Sequence, residues 1–267
     1  MQDIRIAAAV FNSTVNRPQD NLDRMVPLVQ SAEKQGAQLI CFPELNVTGY
    51  STRAALGDAA ETIPGPISRR LQQMAQESQI VILAGMAEKD KTDGIYASHL
   101  IVTPHEISGR YRKVHIAPPE REIFSAGNAI PVFRIEDVNF GIQLCFDVHF
   151  PELATRMALD GADIIFMPHA SPRGTPATKL TSWLRHLTAR AFDNGVFIVA
   201  CNQNGDNQKG LQFPGLAVAL DPSGQIINKR ISATDGIMVV DLNAAALDAV
   251  RGHRMRYFLP NRRPELY

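Results

Sequence analysis

The chain has 267 residues, 45% of them apolar, and its 27 Lys plus Arg are balanced by 27 Asp plus Glu. A neutral chain of this length buries enough apolar surface to fold without disulfide or metal staples, and it lacks the basic excess that nucleic acid or another polyanion selects. No apolar run approaches the roughly 20 residues of a membrane-crossing helix, and Met1-Gln2-Asp3-Ile4-Arg5 has neither the charged n-region nor the cleavage site of a secretory signal, so a cytoplasmic protein is expected.

In chain order, the apolar run over 4–11 predicts a buried strand. Leu22, Met25, Val26, Val29 and Ala32 recur at helical spacing and predict a helix over 21–34. A strand over 38–42, a helix over 67–78 and a strand over 80–85 follow. Period-two alternation over 96–103 and 107–111 predicts a hairpin or meander. The order then restarts: strand 140–145, helix 152–160, strand 163–167, helix 180–194, strand 196–201. Later strands are expected over 216–220, 226–229 and 236–240. No linker or low-complexity tract divides the chain, so one domain over 1–267 is expected. Residues 243–267 form a C-terminal tail whose basic stretch, Arg251 to Tyr257 with Arg262 and Arg263, reads as an oligomer contact or a solvated tail.

The halves resemble each other in detail. Gly36-Ala37-Gln38-Leu39-Ile40-Cys41-Phe42-Pro43 matches Gly161-Ala162-Asp163-Ile164-Ile165-Phe166-Met167-Pro168, each following a helix and ending a strand at proline. Two similar βαβαβ halves imply an α/β fold with two sheets packed face to face and helices outside, a four-layer αββα sandwich; one doubly wound sheet is the plainer alternative. Ligands in α/β folds sit at the carboxyl ends of strands. Under a pseudo-twofold axis, such ends from both halves converge on one cleft.

Three residues with chemistry stand at strand ends. Cys145 precedes Phe146-Asp147-Val148-His149-Phe150-Pro151-Glu152, where an apolar strand meets a turn and a helix. This is the setting of a nucleophile elbow, whose own N–H groups can serve an oxyanion. Glu44 follows a buried strand, where desolvation would raise its pKa toward that of a general base. Lys113 follows the meander and could supply a cation to a thiolate or oxyanion. Each has a plainer reading taken alone: a buried structural thiol, a cap, a solvated charge. Cys41 and Cys201, inside apolar strands, read as core thiols, and three scattered cysteines make neither a disulfide framework nor a zinc knuckle.

Together, Phe42-Pro43-Glu44 with Gly49-Tyr50, Tyr111-Arg112-Lys113-Val114-His115, Cys145-Phe146-Asp147 with Phe150-Pro151-Glu152, and Arg190-Ala191-Phe192-Asp193-Asn194 followed by Ala200-Cys201-Asn202 resemble the nitrilase superfamily of carbon–nitrogen hydrolases. The resemblance spans nearly the whole chain. It implies the four-layer αββα sandwich, a homodimer or higher homo-oligomer, and no cofactor or metal. It implies Glu44 as general base, Lys113 as oxyanion-stabilising cation, Cys145 as nucleophile and the Phe146 N–H as second oxyanion donor. A second glutamate is expected to hold Lys113 and orient the substrate; Glu120 fits the pattern better than Glu122. Tyr50, His149 and His169 are candidates for lining the substrate site.

Val148-His149 stands where carbamoyl-amino-acid hydrolases of the family can carry an arginine pair, and Phe146-Asp147 where nitrilases proper usually have Trp-Glu. Hydrolysis of a small carboxamide to carboxylate and ammonia is therefore expected, with N-carbamoyl compounds or nitriles as alternatives. An arginine elsewhere, such as Arg173, could still grip a carboxylate. A metal-dependent phosphodiesterase-like hydrolase is the rival of another class; Glu44, Asp147, His149 and His169 would have to be its ligands. Trp183, Arg185 and Arg190 read as an interface or surface face of their helix. Pocket shape is assigned to loops 51–62 and 172–179.

Overall fold

The computed structural model describes residues 1–52 and 58–266. The first half runs β1 (Ile4–Val10), α1 (Pro18–Lys34), β2 (Leu39–Cys41), α2 (Pro66–Ser78) and β3 (Val81–Lys89), and the meander adds β4 (Ile95–Val102) and β5 (Ile107–Arg112). The second half runs β6 (Phe133–Ile135), β7 (Val138–Ile142), α3 (Pro151–Leu159), β8 (Ile164–His169), α4 (Pro176–Asn194) and β9 (Phe197–Asn202). After two short strands, β10 (Gly205–Asp206) and β11 (Gln212–Phe213), come β12 (Leu216–Leu220), β13 (Ile226–Ile231), β14 (Gly236–Leu242) and α5 (Ala244–Arg251).

Two six-stranded sheets result, ordered β14-β1-β2-β3-β4-β5 and β13-β12-β9-β8-β7-β6. The expected repeat is visible in the pairing. β2 lies parallel between β1 and β3, and β8 parallel between β7 and β9. Strands on the outer edges join antiparallel. The αββα sandwich is thus present, and the single doubly wound sheet is not.

Period-two alternation sorts side chains between layers. Ile6, Ala8, Val10, Leu39, Cys41 and Leu83 face the core shared by the sheets. Ala7, Ala9, Phe11, Ile40, Phe42, Ile82 and Ala84 face outward onto Leu22, Met25 and Val29 of α1 and Ile67, Leu71 and Met74 of α2. Buried on both faces, these strands read as continuous apolar runs. α3 and α4 cover the second sheet through Leu153, Met157, Trp183 and Leu187.

The tail is neither wholly solvated nor free. Arg251 donates to Asp163 Oδ1 at 2.8 Å, to the Ala162 carbonyl at 2.7 Å and to the Gly195 carbonyl at 3.1 Å, and the Phe258 ring lies 5.4 Å from Phe192. The basic stretch therefore begins with a clamp onto the second half of its own chain.

Candidate active site

Glu44 sits just past β2, in a turn laid across β3. Gly85 permits that approach, since a Cβ there would lie 2.4 Å from the Leu45 nitrogen. The Asn46 Oδ1 accepts the Gly85 N–H at 2.8 Å and fixes the turn. The Glu44 carboxylate is fully buried. Oε1 accepts from Lys113 Nζ at 2.7 Å, and Oε2 accepts from the Ala170 N–H at 3.1 Å. Ala170 follows β8, the repeat-equivalent of β2, so the corresponding strand ends of the two halves meet at this carboxylate.

Lys113 follows β5, with its backbone held by the Ala97 carbonyl at 2.9 Å and the Gly127 N–H at 2.7 Å. Its ammonium is buried and reaches Glu120 as well, at 3.0 and 2.8 Å. Glu120 closes a short 3-10 turn, Pro118–Glu120, and also accepts from Tyr50 Oη at 2.9 Å and the Ala117 N–H at 3.1 Å. Glu122 is exposed, so Glu120 is the glutamate brought to Lys113. Tyr50, expected at the substrate, is held on Glu120.

Cys145 is not the last residue of a strand. β7 ends at Ile142, and Cys145 opens a 3-10 turn, Cys145–His149, at φ +42°. Left-handed backbone at a non-glycine residue costs of order 1–3 kcal/mol and persists where surroundings enforce it. The strand prediction overran because Gln143 and Leu144 are as buried as the strand before them. The half-buried thiol stands beside the acid–lysine cluster. The Phe146 N–H belongs to the same turn.

The charges shape one another. Burial raises the Glu44 carboxyl to about 7, Lys113 opposing and Glu120 adding to the rise. Burial by itself would lower Lys113, but Glu44 and Glu120 overcome it and hold the ammonium firmly charged. Burial and then the Glu44 charge push the Cys145 thiol well up, with Lys113 pulling against them. The resting site therefore holds a thiol, a cation, and a carboxylate poised to exchange a proton near neutrality.

Asp147, which the sequence offered only as a metal-ligand candidate, has another place. Its carboxylate, fully buried, accepts from Tyr111 Oη at 2.8 Å, from the Leu144 N–H at 3.0 Å and from the His115 N–H at 2.8 Å, with His115 Nδ1 at 2.9 Å. Tyr111 lies in β5, and His115 lies in the bend that follows Lys113. No local pattern signalled that one carboxylate would grip residues on both sides of Lys113. Among the described residues, no group of three or more His, Cys, Asp and Glu is arranged to hold a metal ion.

His169 is buried, its Nδ1 2.7 Å from the Met167 carbonyl and its ring 4.1 Å from that of Trp183. His149 is exposed on the Cys145 turn, 4.9 Å from the His186 ring. The surface reading of α4 holds for exposed Arg185 but not for Trp183, which is buried, nor for Arg190, whose Nη2 donates to the Val148 carbonyl at 3.2 Å. Helical spacing of charged residues looks like a solvated face until a second segment covers it. Cys41 and Cys201 are buried core thiols as expected. Of loop 51–62, residues 53–57 lie outside the described residues.

The fold and the buried cluster of Glu44, Lys113 and Glu120 beside Cys145 are those of a hydrolytic α/β enzyme class. The chain belongs to the carbon–nitrogen hydrolase family, whose profile, Carbon-nitrogen hydrolase, matches residues 5–252. It is 32% identical to a nitrilase from Pyrococcus abyssi, covering 99% of each chain. It is 30% identical to an (R)-stereoselective amidase from Pseudomonas sp, covering 80% of this chain and 76% of that one. Among solved structures, an amidase from Nesterenkonia sp. superposes with a TM-score of 0.82 at 27% identity, covering 98% of this chain and 94% of the other.

Proposed function

We propose that the protein hydrolyses the C–N bond of a small carboxamide, giving a carboxylate and ammonia through a thioester on Cys145. The observation that carries this is Lys113 buried between Glu44 and Glu120 beside the half-buried thiol. The carboxylates differ in spare capacity. Glu120 already accepts from Tyr50, Ala117 and, on both oxygens, Lys113. It holds the ammonium in place. Glu44 has one partner on each side-chain oxygen, which leaves lone pairs for a thiol proton and an amide N–H.

Glu44 takes the thiol proton as Sγ attacks the carbonyl carbon. The developing oxyanion is met by Lys113 and the Phe146 N–H, each worth about 3 kcal/mol by comparison with other oxyanion donors. Collapse breaks the C–N bond, and Glu44 passes the proton to the leaving nitrogen, releasing ammonia. Water then attacks the thioester. Glu44 takes its proton and returns it to sulfur, restoring the thiol. In the Nesterenkonia sp. AN1 amidase, variants carry acrylamide or the acetamide moiety of fluoroacetamide covalently added at the active site cysteine, which supports a nucleophilic role for Cys145. A homodimer belongs to the same proposal; exposed Leu159, Phe192, Met255 and Phe258 support an apolar interface.

Names among the relatives divide between nitrilase and amidase, so the test must separate them. Ammonia release is measured for an amide, an N-carbamoyl compound and a nitrile bearing the same side chain, with and without chelator. The amide is expected to have the highest kcat/KM, unaffected by chelation. A nitrile or carbamoyl compound ahead by tenfold, about 1.4 kcal/mol in transition-state binding, overturns the amidase reading. Chelator-sensitive turnover restored by a divalent cation favours the phosphodiesterase-like rival.

A further inference from the structure

Glu44 belongs to the first half of the chain and Cys145 to the second, so a base and a thiol that must meet are carried by different sheets. The sheets touch where β1 and β9 end. Phe11 and Gln203 pair there as parallel backbone, and the Asn204 N–H donates to the Phe11 carbonyl at 3.3 Å. From this contact the fully buried Gln203 reaches across and donates from Nε2 to the Glu44 carbonyl at 2.8 Å. The preceding residue serves the other end of Glu44. Asn202 Oδ1 accepts the Ser171 N–H at 2.9 Å, and its Nδ2 donates to the Ser171 and Pro214 carbonyls, each at 3.0 Å. Ser171 follows Ala170, whose N–H holds Glu44 Oε2. Adjacent side chains of an extended strand face opposite ways. One strand end thus grips the backbone of Glu44 with one side chain and secures the segment holding its carboxylate with the other.

The peptide that Gln203 holds is a strained one. Its carbonyl joins Glu44 to Leu45, and Leu45 has φ +52°. A non-glycine residue in the left-handed region persists where its surroundings enforce it. Within the first half, the Leu45 carbonyl accepts the Gly49 N–H at 2.7 Å, and Asn46 fixes Gly85 beneath the turn. The bonds from Gln203 and Ala170 come from the second half, and they refer Glu44 to the sheet that carries Cys145. Gln203 is also held at a cost. Its Oε1 is buried and accepts no bond among the described residues, and an unsatisfied buried acceptor destabilises a fold. For packing alone, an apolar side chain of the same length would serve without that cost.

We infer that Gln203 is a positioning residue for the reaction: by tying the Glu44–Leu45 peptide to the second sheet, it aims the Glu44 carboxylate at the Cys145 thiol. This rests on the proposal that Glu44 takes the thiol proton, and adds the residue that sets the two in register. Misplacing a reacting pair by 1 Å costs on the order of 10²-fold in rate. A single backbone bond that holds a strained turn in register can therefore matter far more to turnover than to stability.

The test combines Gln203→Met with Glu44→Gln, singly and together. Methionine matches glutamine in length and exchanges one unpaired buried oxygen, Oε1, for another, the Glu44 carbonyl, so the melting temperature should stay near wild type. Two rates are read. In ammonia release from butyramide, Gln203→Met should lower kcat roughly 10- to 100-fold and leave KM within about threefold. In alkylation by iodoacetamide, Cys145 Sγ displaces iodide and the thiol proton passes to Glu44. Gln203→Met should slow alkylation about tenfold alone and less than about twofold in the Glu44→Gln background, because a residue acting through Glu44 then has nothing left to aim. Equal slowing in both backgrounds, or a wild-type kcat in Gln203→Met, overturns the inference. If Gln203→Met does not fold, Gln203→Leu takes its place in the same cycle and decides. If Glu44→Gln is alkylated as fast as wild type, the base assignment falls and the inference falls with it. If wild type is alkylated as expected but releases ammonia from no amide, the amidase reading falls instead, and the alkylation cycle alone decides on Gln203.

Discussion

On the side of the first sheet, Glu44, Lys113 and Glu120 answer one another almost bond for bond, inside a region closed to solvent. On the side of α4, half-buried Lys179, His186 and Arg190 lie against Ser171, His149 and the Val148 carbonyl, and His186 Nε2 and Arg190 Nε are left without a hydrogen-bond partner. The first wall is costly to build and preorganised, with Glu44 keeping lone pairs for what enters, as a reacting centre should. The second is less fully satisfied. Changes to the first wall should therefore act on kcat.

The largest effect should come where the walls meet. Cys145→Ala should lower kcat by roughly 10⁴-fold or more, while the melting temperature stays close to wild type because only one half-buried sulfur is lost. Iodoacetamide should label Cys145 ahead of buried Cys41 and Cys201, and intact-mass measurement would show a single adduct. Near-normal turnover in Cys145→Ala would end the nucleophile assignment and the comparison built around it.

The walls also differ in titration. Burial pushes Glu44 up to about 7 but pushes His186 down to about 4, with His149 and His169 lowered as well. A base must be ionised, so kcat/KM should rise with pH through an acid limb near 7, falling roughly tenfold per unit below it. That limb belongs to the coupled acid–lysine cluster, since the wall histidines are already neutral there. Glu44→Gln should remove it and lower the plateau roughly 10²- to 10⁴-fold. If the limb survives in Glu44→Gln, the proton acceptor lies elsewhere.

The two walls were unequally legible in the sequence. Glu44, Lys113 and Glu120 each follow a recognisable strand or turn, and the Gly36–Pro43 and Gly161–Pro168 repeat already implied that strand ends from both halves converge. The alternation that sorts Ile6, Ala8 and Val10 from Ala7, Ala9 and Phe11 needs only period two. The α4 wall needed more. Lys179, His186 and Arg190 at helical spacing look solvated until the Cys145 turn and Ser171 lie against them, and no local pattern encodes that contact. The end of β7 was missed for a related reason: Gln143 and Leu144 continue the buried run, while the positive φ at Cys145 is imposed by tertiary contacts.

Asp147 tests how the walls are joined. Its carboxylate ties Tyr111 and His115, two residues before and two after Lys113, to the Leu144 N–H at the start of the nucleophile turn. It thereby sets the placement of cation against thiol without touching either. In Asp147→Asn one oxygen becomes an NH₂ of the same size. Whichever position it takes, it meets a backbone N–H, that of Leu144 or that of His115. The Tyr111 hydroxyl can rotate to accept, but a backbone N–H cannot. One buried donor is left unsatisfied, at about 1–3 kcal/mol. The expected result is a modest loss of thermal stability with a larger kinetic signature: kcat down roughly 10- to 100-fold from misplacement, KM for a neutral amide little changed, and the acid limb kept because Glu44 is intact. Tyr111→Phe, which removes one donor and leaves the Leu144 and His115 bonds, should show a smaller version of the same pattern. If Asp147→Asn loses stability but keeps wild-type kcat well below its melting temperature, Asp147 is a packing element alone, and the walls are aligned by the sheets rather than by this joint.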